Sequence, residues 1–206
     1  MSNHAKGYQR DRLILTAIEK HGALNTDQVT ELFFPGKNGK RIAQRRLRRL
    51  CDTGSLKRCR VYGQPYVYFI GKRPGMLEHR IGLNWVYVWT VRNLAKWETL
   101  ERWNYEEDYG LLRPDAVMAI RNSFTKEYRV AFVEFDNSPN DFDKVAKYNA
   151  FYASEKYLSC WWYPHVDRFP SVLIVSVSRA DHIRRKVESE NTHGIRFEVK
   201  DYRGVV

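Results

Sequence analysis

Apolar residues recur at helical spacing in the N-terminal part of the chain, and two short apolar runs around a polar turn follow. The stripe from Leu13 to Ile18 predicts a helix that ends at Gly22, and Asn25 or Thr26 is placed to cap the next one. The pattern predicts helices over residues 11–21, 26–33 and 39–53, and a hairpin with strands over residues 56–62 and 66–70. Three helices followed by a hairpin predict one small module of helices and strands.

A different pattern begins after the short break at Lys72–Gly75, where Pro74 marks a domain boundary. We therefore predict a first domain of residues 1–74 and a second of residues 75–206. The second is predicted as a helix over 76–104, strands from Asp115 and over 129–136, a helix from Pro139, a strand over 171–176, a helix over 179–190 and a strand over 195–199. Its strand–helix–strand step implies a parallel pair, so the fold class is an α/β sandwich with a mixed sheet, α+β overall.

Charge differs between the two predicted domains. Residues 1–74 contain 16 Lys and Arg against 5 Asp and Glu, whereas residues 75–206 contain 19 of each kind. The whole formal excess of +11 therefore lies in the first domain. An excess concentrated in this way favours a polyanion as the partner of that domain.

The third predicted helix has one apolar face and one basic face. The apolar face consists of Ala43, Leu47, Leu50 and Cys51, and the other face of Arg41, Gln44, Arg45 and Arg48. Three helices followed by a hairpin resemble a winged helix-turn-helix domain. In that geometry the third helix enters the major groove, where arginine can pair with guanine and glutamine with adenine. The hairpin residues Lys57, Arg58 and Arg60 would contact the backbone or the minor groove. We therefore predict binding of double-stranded DNA; the alternatives are a solvated basic face and a winged helix that binds protein.

Three carboxylates lie at the ends of two predicted strands in the second domain. Asp115 follows Pro114 at the start of one strand, and Glu134 and Asp136 share a face of the next, roughly 7 Å apart. If the strands pair, the three side chains converge, and their repulsion favours a cation among them. Hard oxygen ligands suit Mg²⁺ or Mn²⁺, so these three residues are the predicted metal ligands. The alternative is that they are ordinary turn residues.

The next predicted helix can bring a lysine to this cluster. Ser138 is its candidate N-cap, Pro139 occupies the first helical position, and Asp141 suits a capping box. Lys144 and Tyr148 are four residues apart and share one face of the helix. An ammonium at Lys144 would stabilise negative charge on a phosphate during transfer, and the alternative is a solvated lysine.

The element order and these motifs resemble the restriction-endonuclease-like fold, whose motif is P-D, a variable gap and then D/E-x-K. Asp115 and Glu134 match its acidic positions, whereas Asp136 stands where that family has a lysine. Lys144 would then correspond to a lysine that has migrated to a neighbouring helix, as happens in this family. The resemblance implies Mg²⁺-dependent DNA cleavage, with Asp115, Glu134, Asp136 and Lys144 as the catalytic residues.

Nearly the whole chain resembles the replication-relaxation family of plasmids, integrative elements and phages. The resemblance rests on the basic first domain followed by L-E-H-R, R-P-D, V-E-F-D and K-V-A-K-Y-N-A-F-Y. It implies a role in DNA replication or relaxation, with replication or relaxosome proteins as further partners. Two functions stay open: a Mg²⁺-dependent endonuclease or nickase, and a non-catalytic replication, relaxosome or regulatory factor with a degenerate nuclease fold.

The sequence shows neither a membrane segment nor an export signal. No apolar run approaches the roughly 20 residues that span a bilayer, and the N-terminus lacks the apolar segment of a signal peptide. Cys51, Cys59 and Cys160 have no metal-ligand spacing. We therefore expect a reduced, cytoplasmic protein that does not enter a membrane.

Overall fold

The structure, a computed structural model, describes residues 3–61 and 63–206, with side chains from residue 7 onward. Tyr62, the predicted last residue of the first hairpin strand, lies outside the described residues. The chain divides into two compact units, residues 1–88 and residues 89–206. Both combine helices with strands, so the structure is mixed α/β. No helix among the described residues is long and apolar enough to cross a membrane.

The first unit is built from helices and short strands. Among its described residues these are α1 (Asn3–His21), β1 (Leu24–Asn25), α2 (Thr26–Phe33), α3 (Gly39–Asp52), β2 (Lys57–Cys59), β3 (Val67–Phe69) and the start of α4 (Leu77–Arg92). The strands form an antiparallel sheet in the order β1–β3–β2. The sequence predicts α2, α3 and the hairpin but misses β1, because two residues are too few to show an alternating pattern.

Hydrogen-bonded caps and glycines fix the turns of this unit. Asn25 Oδ1 accepts a hydrogen bond from the Gln28 backbone N–H at 2.8 Å, and Gln28 Oε1 accepts one from the Asn25 N–H at 3.0 Å. This capping box starts α2. Gly22 adopts φ +74° after α1, where a side chain would be strained. Gly39 opens α3 where a Cβ would lie 1.8 Å from the Phe34 carbonyl oxygen, so α3 can begin this close to α2 only at a glycine.

Helix α4 begins inside the first unit. Leu77 and Ile81 pack against β3 in one buried cluster. Asn84 Nδ2 donates a 2.6 Å hydrogen bond to a backbone carbonyl just before β1. These buried contacts explain why the two units divide after residue 88, whereas the sequence predicted a boundary between residues 74 and 75.

The second unit is organised around one mixed sheet. Its described elements are β4 (Glu98–Tyr105), β5 (Ala116–Asn122), β6 (Tyr128–Asp136), α5 (Lys144–Ala153), β7 (Ser171–Ser176), α6 (Ala180–Glu190) and β8 (Phe197–Asp201), with short 3₁₀ helices at Lys156–Ser159, Tyr163–His165 and Tyr202–Gly204. The strands lie side by side in chain order. β4, β5 and β6 are antiparallel, whereas β7 and β8 run parallel to β6. The parallel pair predicted across a helix is therefore present.

Helices α5 and α6 cover one face of this sheet through an aromatic core. Phe132 of β6 is fully buried, and its ring centroid lies 5.5 Å from that of Tyr148 and 5.8 Å from that of Trp162. Because side chains alternate along a strand, Glu134 and Asp136 share this face with Phe132. The core therefore fixes the direction in which the two carboxylates point.

The prediction of a helix over residues 76–104 is wrong in its second half. α4 ends at Arg92, and the edge strand β4 begins at Glu98. Within β4 only Trp103 is buried, so its alternation is hidden among charged and polar residues. Edge strands are commonly polar, since charge on an unpaired edge discourages pairing with other chains.

Helix α5 starts later than the sequence predicted. The predicted start was Pro139, but the first helical residue is Lys144. Asp141 forms an ion pair with Lys186 instead of closing a capping box. Phe142 is buried in the aromatic core, so the chain turns inward before the helix begins.

Candidate functional site

Helix α3 presents a basic face, which we define as Arg41, Gln44, Arg45 and Arg48. All four side chains are exposed, whereas Ala43 and Leu47 on the opposite side are fully buried. Arg46 does not belong to this face, because it is half-buried and pairs with Asp11 at 3.2 Å. The amphipathic pattern therefore separates a helix face that holds the unit together from one that is available to a partner.

The β2–β3 hairpin adds three exposed cations, Lys57, Arg58 and Arg60. The guanidinium carbons of Arg58 and Arg60 lie 4.8 Å and 5.5 Å from the ring centroid of Tyr66. Such cation–π contacts hold flexible arginines in place without neutralising them. Sequence reasoning missed Tyr66, although a tyrosine opposite two arginines in a hairpin is a visible signal.

In the second unit, strand pairing brings Asp115 and Glu134 together. The β5–β6 register pairs Ala116 with Val133, so the preceding residue Asp115 lies opposite Glu134. Asp115 Oδ2 accepts a hydrogen bond from the Phe135 backbone N–H at 2.7 Å. The sequence-predicted convergence is therefore present for these two carboxylates.

Glu134 is the most deeply placed of the predicted site residues, with 1% of its surface exposed. Tyr148 Oη donates a hydrogen bond to Oε1 at 2.8 Å. Lys144 Nζ lies 2.7 Å from Oε2 and also donates to the Arg113 carbonyl oxygen at 3.1 Å. Among the described residues, Oε2 accepts no hydrogen bond of regular geometry beyond this ion pair. Lys144 and Tyr148 thus both contact the carboxylate. They lie on one face of α5, as the sequence predicted.

The buried cluster changes the acidity of its members. Burial, followed by the charge of Asp115, raises the pKa of Glu134 to about 7, although Lys144 and Tyr148 oppose the rise. Burial tends to lower the pKa of Lys144, but the charges of Glu134 and Asp115 outweigh it, and that pKa lies above its usual value. Lys144 is therefore a stable cation beside a carboxylate that can exchange its proton near neutral pH.

Asp136 has different partners. Arg179 donates from Nη2 to Oδ1 at 2.5 Å and from Nε to Oδ2 at 2.9 Å, and Ser176 Oγ donates to Oδ2 at 2.8 Å. This bidentate pair neutralises Asp136, so the repulsion that led us to expect a cation among all three carboxylates is relieved by the protein itself. The described residues contain no group of three or more His, Cys, Asp or Glu side chains arranged to hold a metal ion.

Sequence reasoning assigned no role to Tyr148, Ser176 or Arg179. Tyr148 follows Lys144 by one helical turn, so its contact with the same carboxylate is visible in the helical pattern. Ser176 is paired with Asp136 across β6 and β7, a register that only the folded sheet reveals. Arg179 comes three residues later, and its pairing depends on the turn into α6, which has no local sequence signal.

Asp115 and Glu134 are the two carboxylates of this cluster that could hold a divalent cation. Mg²⁺ is commonly bound by one or two carboxylates together with substrate phosphates and water. Asp115 and Glu134 supply adjacent hard oxygen atoms, and Oε2 of Glu134 has an incomplete hydrogen-bond shell within the described part of the chain.

Comparison of the chain with protein-family models, with curated proteins and with solved structures found no match. The basic face, the hairpin and the carboxylate pair are therefore interpreted from their own geometry.

Proposed function

We propose that the first unit is a winged helix-turn-helix domain that binds double-stranded DNA. The observation that carries this proposal is the basic face of α3, which is exposed along its length over a buried apolar face. The element order, with the hairpin directly after α3, supports the same interpretation. In this arrangement α3 enters the major groove, and its Arg and Gln side chains reach base edges and phosphates.

The hairpin would act as the wing of this domain. Lys57, Arg58 and Arg60 together with Arg41, Arg45 and Arg48 are six of the exposed cations on α3 and the hairpin. If each neutralises one phosphate, the logarithm of the binding constant should fall with the logarithm of salt concentration at a slope of about −5. Tyr66 holds two of these guanidinium groups and so limits the entropy that they lose on binding.

The test is the salt dependence of duplex binding by the full chain, measured by fluorescence anisotropy. Replacing Arg41, Arg45 and Arg48 with Ala should weaken binding at least about tenfold and reduce the magnitude of the slope by about 3. The matched control replaces Arg12, Lys72 and Arg73, which are exposed cations of the same unit outside α3 and the hairpin. A control that loses as much affinity would show that general attraction, and not the basic face, binds the DNA.

We further propose that the second unit is a restriction-endonuclease-like domain that cleaves or nicks DNA. The supporting observation is the buried cluster in which Asp115 and Glu134 meet and Lys144 lies 2.7 Å from Glu134. Three antiparallel strands, a helix and a parallel strand carry it, and this order supports the proposal. The lysine on α5 takes the place of the motif lysine that Asp136 replaces.

Each residue of this cluster has a defined task in the proposal. Asp115 and Glu134 would hold Mg²⁺ or Mn²⁺, and such a cation, when bound, activates water and neutralises phosphate charge. Lys144 stabilises the charge that grows on the phosphate, and its raised pKa keeps it protonated for this task. Tyr148 orients Glu134. Asp136 stabilises the structure around the site, since it accepts hydrogen bonds from Arg179 and so connects the end of β6 to the start of α6.

A second candidate function is a non-catalytic DNA-binding factor for replication, relaxosome assembly or regulation, in which the nuclease fold is degenerate. The observation that favours it is the complete pairing of Asp136 with Arg179 and Ser176, which leaves two carboxylates where three were predicted. In both candidates the resemblance to the replication-relaxation family suggests a plasmid or phage setting.

A nicking assay on supercoiled plasmid, with Mg²⁺, Mn²⁺ or EDTA, separates the two candidates. In the nuclease candidate, Lys144→Met should slow nicking strongly while the rise of Tm with Mn²⁺ persists, because the lysine acts on the transition state. Lys147→Met is the matched control, since Lys147 lies on the same helix and pairs with Asp143 away from Glu134. Absence of metal-dependent nicking by the native chain would favour the non-catalytic candidate.

A further inference from the structure

A cavity of about 460 Å³ opens in the second unit at the opposite end of β6 from the carboxylate pair. Its lining comes from the first residues of β6 and β7, from the segment before β7 and from Arg196 just before β8. Val130 in this lining is four residues from Glu134, which corresponds to roughly 13 Å along the strand. The cavity is therefore separate from the proposed nuclease site, and its volume is that of a small-ligand pocket.

The floor of the cavity is apolar. Val130 and Pro170 are buried, and Phe169 and Val166 are half-buried beside them. A surface of this kind favours the flat, weakly polar body of a ligand over a small hydrated ion. Phe169 also packs into the aromatic core, so the floor is held firmly.

The rim of the cavity is charged and carries three guanidinium groups. Arg129 is paired with Glu98 at 3.1 Å. Arg168 and Arg196 are exposed, and within the described part of the chain neither has an ion-pair partner. Two arginines that face one cavity without a carboxylate partner are suited to a phosphate, which accepts bidentate hydrogen bonds from guanidinium.

The remaining rim residues suit a ligand that also carries hydrogen-bond donors. Glu127 and Asp167 line the cavity and would repel a simple anion. They can instead accept hydrogen bonds from sugar hydroxyl or base amino groups. The His165 and Tyr128 rings lie 5.4 Å apart at the wall, and Tyr128 Oη donates to Glu101 at 2.7 Å, which fixes this aromatic edge.

We propose that this cavity binds a nucleotide. Arg168 and Arg196 hold the phosphate, the apolar floor and the Tyr128–His165 edge contact the base, and Glu127 and Asp167 accept hydrogen bonds from the sugar or base. The nucleotide is either free or one unit of a single strand, since both offer the same chemistry. The proposal does not depend on DNA binding by α3 or on cleavage at Glu134.

The test is a ¹⁵N NMR titration of the full chain with adenosine monophosphate, adenosine and inorganic phosphate. We expect the monophosphate to shift the amide signals of Ser171 and Arg196 and to bind at least about tenfold more tightly than either fragment, since each lacks one half of the contacts. Replacing Arg168 and Arg196 with Ala should weaken binding at least about tenfold. The matched control replaces Arg185 and Arg203, exposed arginines of the same unit outside the cavity.

Any of three results would overturn the proposal. The first is no shift of the cavity amides at millimolar monophosphate. The second is monophosphate binding that the Arg168 and Arg196 substitutions leave unchanged, and the third is equally tight binding of inorganic phosphate. A single-stranded oligonucleotide then identifies the source, in a chain whose Arg41, Arg45 and Arg48 are Ala. Tighter binding than the monophosphate supports one unit of a strand, and equal or weaker binding supports a free nucleotide.

Discussion

Replacing Glu134 with Gln should change how the stability of the second unit depends on pH. The amide keeps the size of the side chain and can still accept the Tyr148 hydrogen bond, but it does not titrate. In the native protein, burial and Asp115 raise the pKa of Glu134 to about 7, from 4.5 for a solvated glutamate. The folded state therefore holds a proton that the unfolded state has already lost over this interval.

The sign and size of the effect follow from this difference in pKa. A raised folded-state pKa contributes stability that is complete below the unfolded pKa and is lost as pH rises through the folded pKa. Each pKa unit corresponds to about 1.4 kcal/mol. Between pH 4.5 and pH 7.5 the free energy of unfolding of the native second unit should therefore fall by about 3 kcal/mol relative to that of Glu134→Gln. The attraction between Lys144 and Glu134 opposes this rise in pKa and is already included in the value of about 7.

Urea titrations followed by the amide NMR signals of β6 measure unfolding of the second unit directly. The difference in unfolding free energy between Glu134→Gln and the native chain should grow steadily from pH 4.5 to pH 7.5. Glu98→Gln is the control, since the Ala95 backbone N–H lowers the pKa of Glu98, and its effect should appear only in more acidic solution. If the free energy of unfolding depended on pH in the same way for Glu134→Gln and the native chain, the inference that Glu134 has a raised pKa would be refuted.

Three further substitutions test other buried groups. Asp136→Asn should destabilise the second unit by about 3 kcal/mol, because it leaves the half-buried Arg179 without its counter-charge. Ser176→Ala, which removes one hydrogen bond, should destabilise it by about 1 kcal/mol. Thermal melts compare the two variants. Burial lowers the pKa of His21 to about 3, so the native first unit should lose stability as pH falls below about 6.5. The His21→Gln variant should not show this loss. Urea titrations followed by the amide NMR signals of α1 measure the difference.

The sequence predicted the elements that have a clear hydrophobic pattern. It missed elements whose position depends on contacts with other parts of the fold. β7 is predicted to the residue, because a continuous apolar run has few alternatives. β4 looked like the tail of a helix, because an edge strand with one buried side chain has no clear period. The late start of α5 was also out of reach, because burial of Phe142 outweighs the cap signals at Ser138 and Pro139.

The candidate site shows the same division. The meeting of Lys144 with Glu134 follows from helical spacing and from the strand–helix order, so the sequence could predict it. The fate of Asp136 could not be predicted, because its partner Arg179 lies 43 positions away along the chain. Tertiary pairing changed a carboxylate that we expected to hold metal into half of an internal ion pair.

The central position of β6 determines when the site can be lost. This strand is paired on both sides, to β5 and β7, and its residues from Val130 to Asp136 are buried. Amide hydrogens in such strands usually exchange only when the whole unit opens. Glu134 and Asp136 therefore sit on what should be the slowest-exchanging segment of the second unit. Fraying of termini or loops should leave their geometry intact, so the site should disappear only in a single step, with global unfolding of the unit.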